Sequence, residues 1–259
     1  MTTDYPALRQ EAHHLACQLF EDKAEKVDSF TDRLLDIYAR ARDKDFLIIH
    51  NPGGWGSNTF EHCLQWERNI VNGVSETVEH LGHTRLLIQY MRSSNGWWDK
   101  LRDIREQFRF FATKARIMAA ELEFITRHVN GLKVVIIGVS QGAAFTNSVM
   151  QKLDNQHQVY SIELGFFFPY MPYRVITEKT LAIDSNGFVP DAAVRRDLMA
   201  GARAYMAAPF RWLVHLLRGR PVKFSNCINV RGHDYDWGYP YVRRRVTSFL
   251  ETNFGTNNR

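Results

Sequence analysis

Residues 133–144 read KVVIIGVSQGAA, an apolar, largely β-branched run ending at Ser140 with Gly138 and Gly142 two positions to either side. A serine hydroxyl is a weak nucleophile by itself. It needs a base within hydrogen-bond reach and N–H donors aimed at the oxyanion that forms on attack. A tight glycine-flanked turn supplies part of that. Other side chains of suitable chemistry also follow apolar runs. His50 precedes the glycine loop NPGGWG, Glu163 lies in VYSIEL, Asp184 ends KTLAID, and His233 sits in RGHDYDW.

These groups must be positioned by regular elements, and the apolar pattern predicts them. Phe30, Leu34, Ile37 and Tyr38 recur at helical spacing and lead into FLIIH at 46–50, a buried strand. A helix over 58–81, a strand at 85–90 and a long helix over 99–129 follow, the last stopped by Asn130-Gly131. KVVIIG at 133–138 is a strand with a helix behind it from Gln141 to about Leu153. Strands are expected again at 159–164, 179–184 and 222–230, and a last helix near 240–253. Continuous apolar strands alternating with helices predict an α/β fold: a mostly parallel sheet of about six strands covered on both faces. The ligand crevice of such a sheet lies at the carboxyl ends of its strands, where His50, Ser140, Glu163, Asp184 and His233 all fall.

Gly-x-Ser-x-Gly between strand and helix, the small residues Gly142, Ala143 and Ala144, and the chain order Ser140, acid, His233 together resemble the α/β-hydrolase superfamily over about Asp45 to Phe254. The stretch GVSQGA is also similar to the cutinase elbow, although cutinase-type disulfides are absent. The resemblance implies a serine esterase or lipase-like enzyme. Ser140 matches the nucleophile and His233 the general base. Asp184 is the first choice for the acid that orients His233, with Asp191 and Glu163 as substitutes. IDSNGFVPD places Asn186 where the simplest family register has the acid. The oxyanion hole is expected from the N–H of Gln141 and one from the loop HNPGGWGS. Pro52 has no N–H, so Gly53, Gly54 or Trp55 must donate, with Trp55 favoured.

The reading divides the chain into an N-terminal helical extension over 1–44 and a hydrolase domain over 45–259, with a possible cap insert near 191–219. Two aromatic inserts, RSSNGWWD and GFFFPYMPYR, could line an apolar acyl pocket or pack as core. No dinucleotide or nucleotide motif occurs and no metal-ligand spacing is seen, so neither cofactor nor metal is expected. The net charge of +5 comes in small groups, Arg195-Arg196, Arg218 with Arg220, and Arg243 to Arg245. Without a nucleic-acid motif these read as solvated helix faces, or as a surface for an acidic substrate or membrane. No apolar run of spanning length and no signal-peptide pattern is present, which predicts a cytoplasmic protein without stable membrane insertion. The expected function is hydrolysis of a small-molecule carboxylic ester or thioester through an acyl-enzyme. Acyl transfer to another nucleophile would use the same residues, and a catalytically silent ligand-binding protein is the reading from another class.

Overall fold

The computed structural model describes residues 5–21, 23–54, 56, 58–92, 111–153, 158–219 and 227–255. The chain opens with α1 (Tyr5–Phe20) and α2 (Ala24–Ala41), then β1 (Phe46–Asn51), α3 (Gln65–His80) and β2 (Arg85–Gln89). Next come α4 (Ala112–His128), β3 (Lys133–Val139), α5 (Gln141–Met150), β4 (Val159–Leu164) and β5 (Thr180–Ile183). Helices α6 (Leu198–Leu217) and α7 (Pro240–Phe254) complete it.

The five strands form one parallel sheet in the order β2-β1-β3-β4-β5. Successive residues of a strand point to opposite faces, and β1 divides its side chains accordingly. Leu47 and Ile49 join Val134, Ile136, Leu34, Met118, Leu122 and Phe145 under α1, α2, α4 and α5. Phe46 and Ile48 join Val135, Ile137, Ile70, Val74, Val242 and Val246 under α3 and α7. Burial on both faces is why these strands read as unbroken apolar runs rather than as alternations.

The same division follows from chain handedness. Parallel crossovers are right-handed, so connections that travel in opposite directions across a sheet lie on opposite faces. The step from β1 out to β2 carries α3 on one face. The return from β2 past β1 to β3 carries α4 on the other. Between β1 and β3 the connections therefore leave on opposite faces, and such a switch point, at the carboxyl ends of the two strands, is where open α/β sheets bind ligands. The loop beginning at Pro52 and the residue Ser140 sit there.

The expected sixth strand at 222–230 is corrected: five strands are present among the described residues. Residues 220–226 lie outside those described, and 227–230 do not pair with the sheet. Their backbone groups are used in a loop instead. The His233 N–H donates to the Val230 carbonyl at 3.1 Å, and the Arg231 carbonyl accepts the Ala192 N–H at 3.0 Å. Of the two aromatic inserts, GFFFPYMPYR is partly core, since Phe166 and Tyr170 are buried and Tyr170 stacks on Phe111 at 5.5 Å. Residues 93–99 of the other lie outside the described ones.

Candidate functional site

Ser140 closes β3 and begins α5 with φ +54° and ψ −114°. A non-glycine residue in this region costs of order 1–3 kcal/mol and persists only where its surroundings enforce it. Here they do. The Ser140 N–H donates to the Leu164 carbonyl at 2.8 Å, and its own carbonyl accepts from Ala143 and Ala144. The flanking glycines are required by contact. A Cβ on Gly138 would lie 2.6 Å from the Gly142 carbonyl oxygen, and one on Gly142 would lie 2.3 Å from the Asn51 carbonyl oxygen. Strand and helix thus meet too closely for side chains at these two positions, and the serine is left partly exposed at the apex of the turn.

His233 approaches the same strand edge from the loop before α7. That loop is anchored on α3, where Asn69 donates to Asp236 at 2.7 Å and Gly73 makes room for the Trp237 ring. Gly165, which directly follows the Leu164 that holds Ser140, lies against the His233 ring. A Cβ there would come within 2.8 Å of His233 Cε1. Ser140 and His233 therefore flank one carboxyl end, that of β4.

The acid beside His233 is Asp191. His233 Nδ1 lies 2.7 Å from Asp191 Oδ2, which also accepts the Tyr235 hydroxyl at 2.5 Å. Asp191 Oδ1 accepts backbone N–H groups from Ala193 at 2.7 Å and Val194 at 3.3 Å. With Nδ1–H donating, all four contacts come from donors, and the buried carboxylate acts purely as acceptor. That assignment leaves His233 Nε2 with its lone pair. Burial and the neighbouring Asp191 charge push the Tyr235 hydroxyl far above its ordinary range, so it stays a donor.

Asp184, the first choice from the sequence, is corrected in this role. Its carboxylate takes Arg174 Nη1 at 2.6 Å and the Phe166 N–H at 3.4 Å. The same guanidinium holds Glu163 through Nε at 2.9 Å, so both alternative acids are tied to one arginine. Burial drives the Glu163 carboxyl up to about 7 against the opposing pull of Arg174. Asn186 also has a defined task. Its side-chain oxygen accepts the N–H groups of Phe188 and Val189, and its amide donates to Asp234 at 3.0 Å. This fixes the turn that carries Asp191 to His233.

The loop after β1 is braced from two sides. Glu67 of α3 accepts the Gly53 N–H at 2.9 Å and contacts His50 Nε2 at 2.9 Å. Arg92, nearly buried, donates to the carbonyls of Pro52 and Gly54, each at 2.7 Å. The Gly53 N–H is thereby engaged, which removes one of the three expected donors. Gly54 has φ +56°, with open space where a Cβ would project. Trp55 lies outside the described residues. Gln141 is the first residue of α5.

Sequence reasoning missed Glu67, Arg92 and Tyr235. Glu67 and Arg92 carry no local signal, because a charged residue in a helix or after a strand reads as solvated. Tyr235 stands two residues after His233, and only its place opposite Asp191 marks it.

No protein-family model matches this chain, and no curated protein matches it significantly.

Proposed function

We propose that this protein is a serine hydrolase of the α/β-hydrolase type, cleaving a carboxylic ester or thioester through an acyl-enzyme on Ser140. The observation that carries the reading is that a strained, glycine-flanked Ser140 and a half-buried His233 held on the buried Asp191 both lie beside the carboxyl end of β4. In the proposed cycle, His233 Nε2 takes the Ser140 proton as Oγ bonds to the substrate carbonyl carbon. The tetrahedral oxyanion collapses, the bond to the alkoxide or thiolate breaks, and His233 returns the proton to that leaving group. Water then attacks the acyl-enzyme with the same histidine as base, releasing the acid and restoring Ser140. Asp191 holds the imidazole in the required tautomer and stabilises its charged form. The N–H groups of Gln141 and Gly54 are the proposed oxyanion donors among the described residues. The bracing by Glu67 and Arg92 supports this, because donors preorganised before charge develops avoid reorganisation during the reaction.

Labelling with a fluorophosphonate, followed by peptide mass spectrometry, tests the proposal. Modification at Ser140, absent in Ser140→Ala and slowed by orders of magnitude in His233→Ala, is expected. A folded protein that resists labelling at Ser140 would overturn the reading and favour a silent binding protein.

A further inference from the structure

Helix α6 turns its large apolar side chains the wrong way for a surface helix. Such a helix ordinarily buries its apolar stripe and solvates the opposite side. Here Ala204 and Ala208 face the body of the protein, at 4% and 0% exposure. Met199, Met206, Phe210, Leu213 and Leu217 recur at intervals of seven, four, three and four residues, which places them on one stripe on the other side. That stripe is open to solvent, with Phe210 75% and Leu217 78% exposed. Contiguous exposed apolar surface of this kind marks an interaction site.

The charges of its own segment are predominantly cationic. From residue 198 to residue 233 the chain contains Arg203, Arg211, Arg218, Arg220, Lys223 and Arg231 and no aspartate or glutamate. Arg203, Arg211 and Arg218 are exposed, as are Arg195 and Arg196 just before the helix, where the exposed Asp197 caps its first turn and accepts the Ala200 N–H at 2.9 Å. A second copy of the chain is a poor occupant, since a two-fold contact would set this cationic face against itself. An apolar stripe flanked mainly by cations instead suits an anionic lipid surface, where acyl chains take the stripe and headgroups take the arginines. No described helix is long and apolar enough to cross a membrane. The twenty residues of α6 would therefore lie in the plane of the interface.

We propose that α6 attaches this protein peripherally to anionic lipid surfaces, with Phe210 and Leu217 inserted and Arg203 and Arg218 at the headgroups. The inference does not rest on the serine-hydrolase reading, although α6 begins seven residues after Asp191 and attachment would bring the site to the interface.

The test is co-sedimentation of the full chain with vesicles of phosphatidylcholine alone, or of equal parts phosphatidylcholine and phosphatidylglycerol. Binding to the anionic vesicles, weakened by salt and lost in Phe210→Asp/Leu217→Asp, is expected. Each of Arg203→Gln and Arg218→Gln should lower the partition constant about fivefold, the effect of one basic residue near a charged surface. Circular dichroism keeps the comparison to folded variants, and both arginines are exposed, so their replacement leaves the core intact. Absence of binding to anionic vesicles, or binding unchanged in the double aspartate variant, overturns the proposal. So does a wild-type dimer, seen by sedimentation velocity, that binds no vesicles and that Phe210→Asp/Leu217→Asp converts to monomer.

Discussion

Replacing Asp191 by asparagine changes one oxygen to an amide and keeps the volume, so its consequence can be followed atom by atom. Asp191 Oδ1 accepts two backbone N–H groups that cannot turn away, and Oδ2 accepts His233 Nδ1 and the Tyr235 hydroxyl. An asparagine has one accepting oxygen, and the backbone pair claims it. The NH2 group then faces Tyr235 and His233. The hydroxyl can rotate to accept, but the imidazole can accept at Nδ1 only by moving its hydrogen to Nε2. A histidine in that tautomer cannot take a proton from Ser140. The equivalent tautomer reversal in serine enzymes lowers kcat about 10⁴-fold, which corresponds to ~5.5 kcal/mol of transition-state stabilisation. The second-order rate of fluorophosphonate labelling at Ser140 reads this loss without knowledge of the natural substrate. Asp191→Asn should lose on the order of 10⁴-fold, whereas Asp184→Asn should label within a few-fold of wild type, because its carboxylate serves Arg174. Wild-type labelling in Asp191→Asn together with collapse in Asp184→Asn would refute the assignment and return the acid role to Asp184.

Ser140→Gly removes the nucleophile and relieves the left-handed strain at φ +54°. It should abolish labelling while raising unfolding free energy by ~1 kcal/mol in urea titration. Gly142→Ala drives a Cβ to 2.3 Å from the Asn51 carbonyl oxygen, a backbone atom that cannot step aside. A stability loss of at least ~1–3 kcal/mol should follow, read as a lowered urea midpoint. The buried Glu163 carboxyl is raised from 4.5 to about 7. The folded state therefore binds more protons than the unfolded one between these values, and the Glu163 contribution must fall as pH rises through that window, by ~2–3 kcal/mol. Glu163→Gln should flatten that slope in urea titrations from pH 5 to 7, and an unchanged slope would assign the titration to another group.

Much of the scaffold is written in local pattern. The strand expected at 159–164 forms at Val159–Leu164, that at 133–138 forms at Lys133–Val139, and the helix behind it begins at Gln141. A run of apolar, β-branched residues long enough for one buried strand has few other solutions, and the glycines around Ser140 mark a turn whatever it is used for. Residues 227–230 of the strand expected at 222–230 do not join the sheet, and loop contacts with the Asp191 segment follow instead. On the helical side, α6 falls within the cap insert expected near 191–219, but the outward turn of its large side chains was not legible. Periodicity gives the separation of two faces and leaves open which of them meets the body.

What the sequence determined by itself was the α/β alternation, the sharp turn at Ser140 and the gathering of acids and histidines at strand ends. Each is a short-range consequence of residue type and spacing. Which acid meets His233 was decided by tertiary structure alone. Three candidates reach the same edge. Arg174 captures Asp184 and Glu163, while the turn built on Asn186 delivers Asp191 to His233, 42 positions further along the chain. The bracing of the Gly53–Gly54 backbone by Glu67 and Arg92 is equally invisible in the sequence. Hydrogen bonds between residues far apart in the chain depend on where loops carry the donors and acceptors, and no local pattern encodes that.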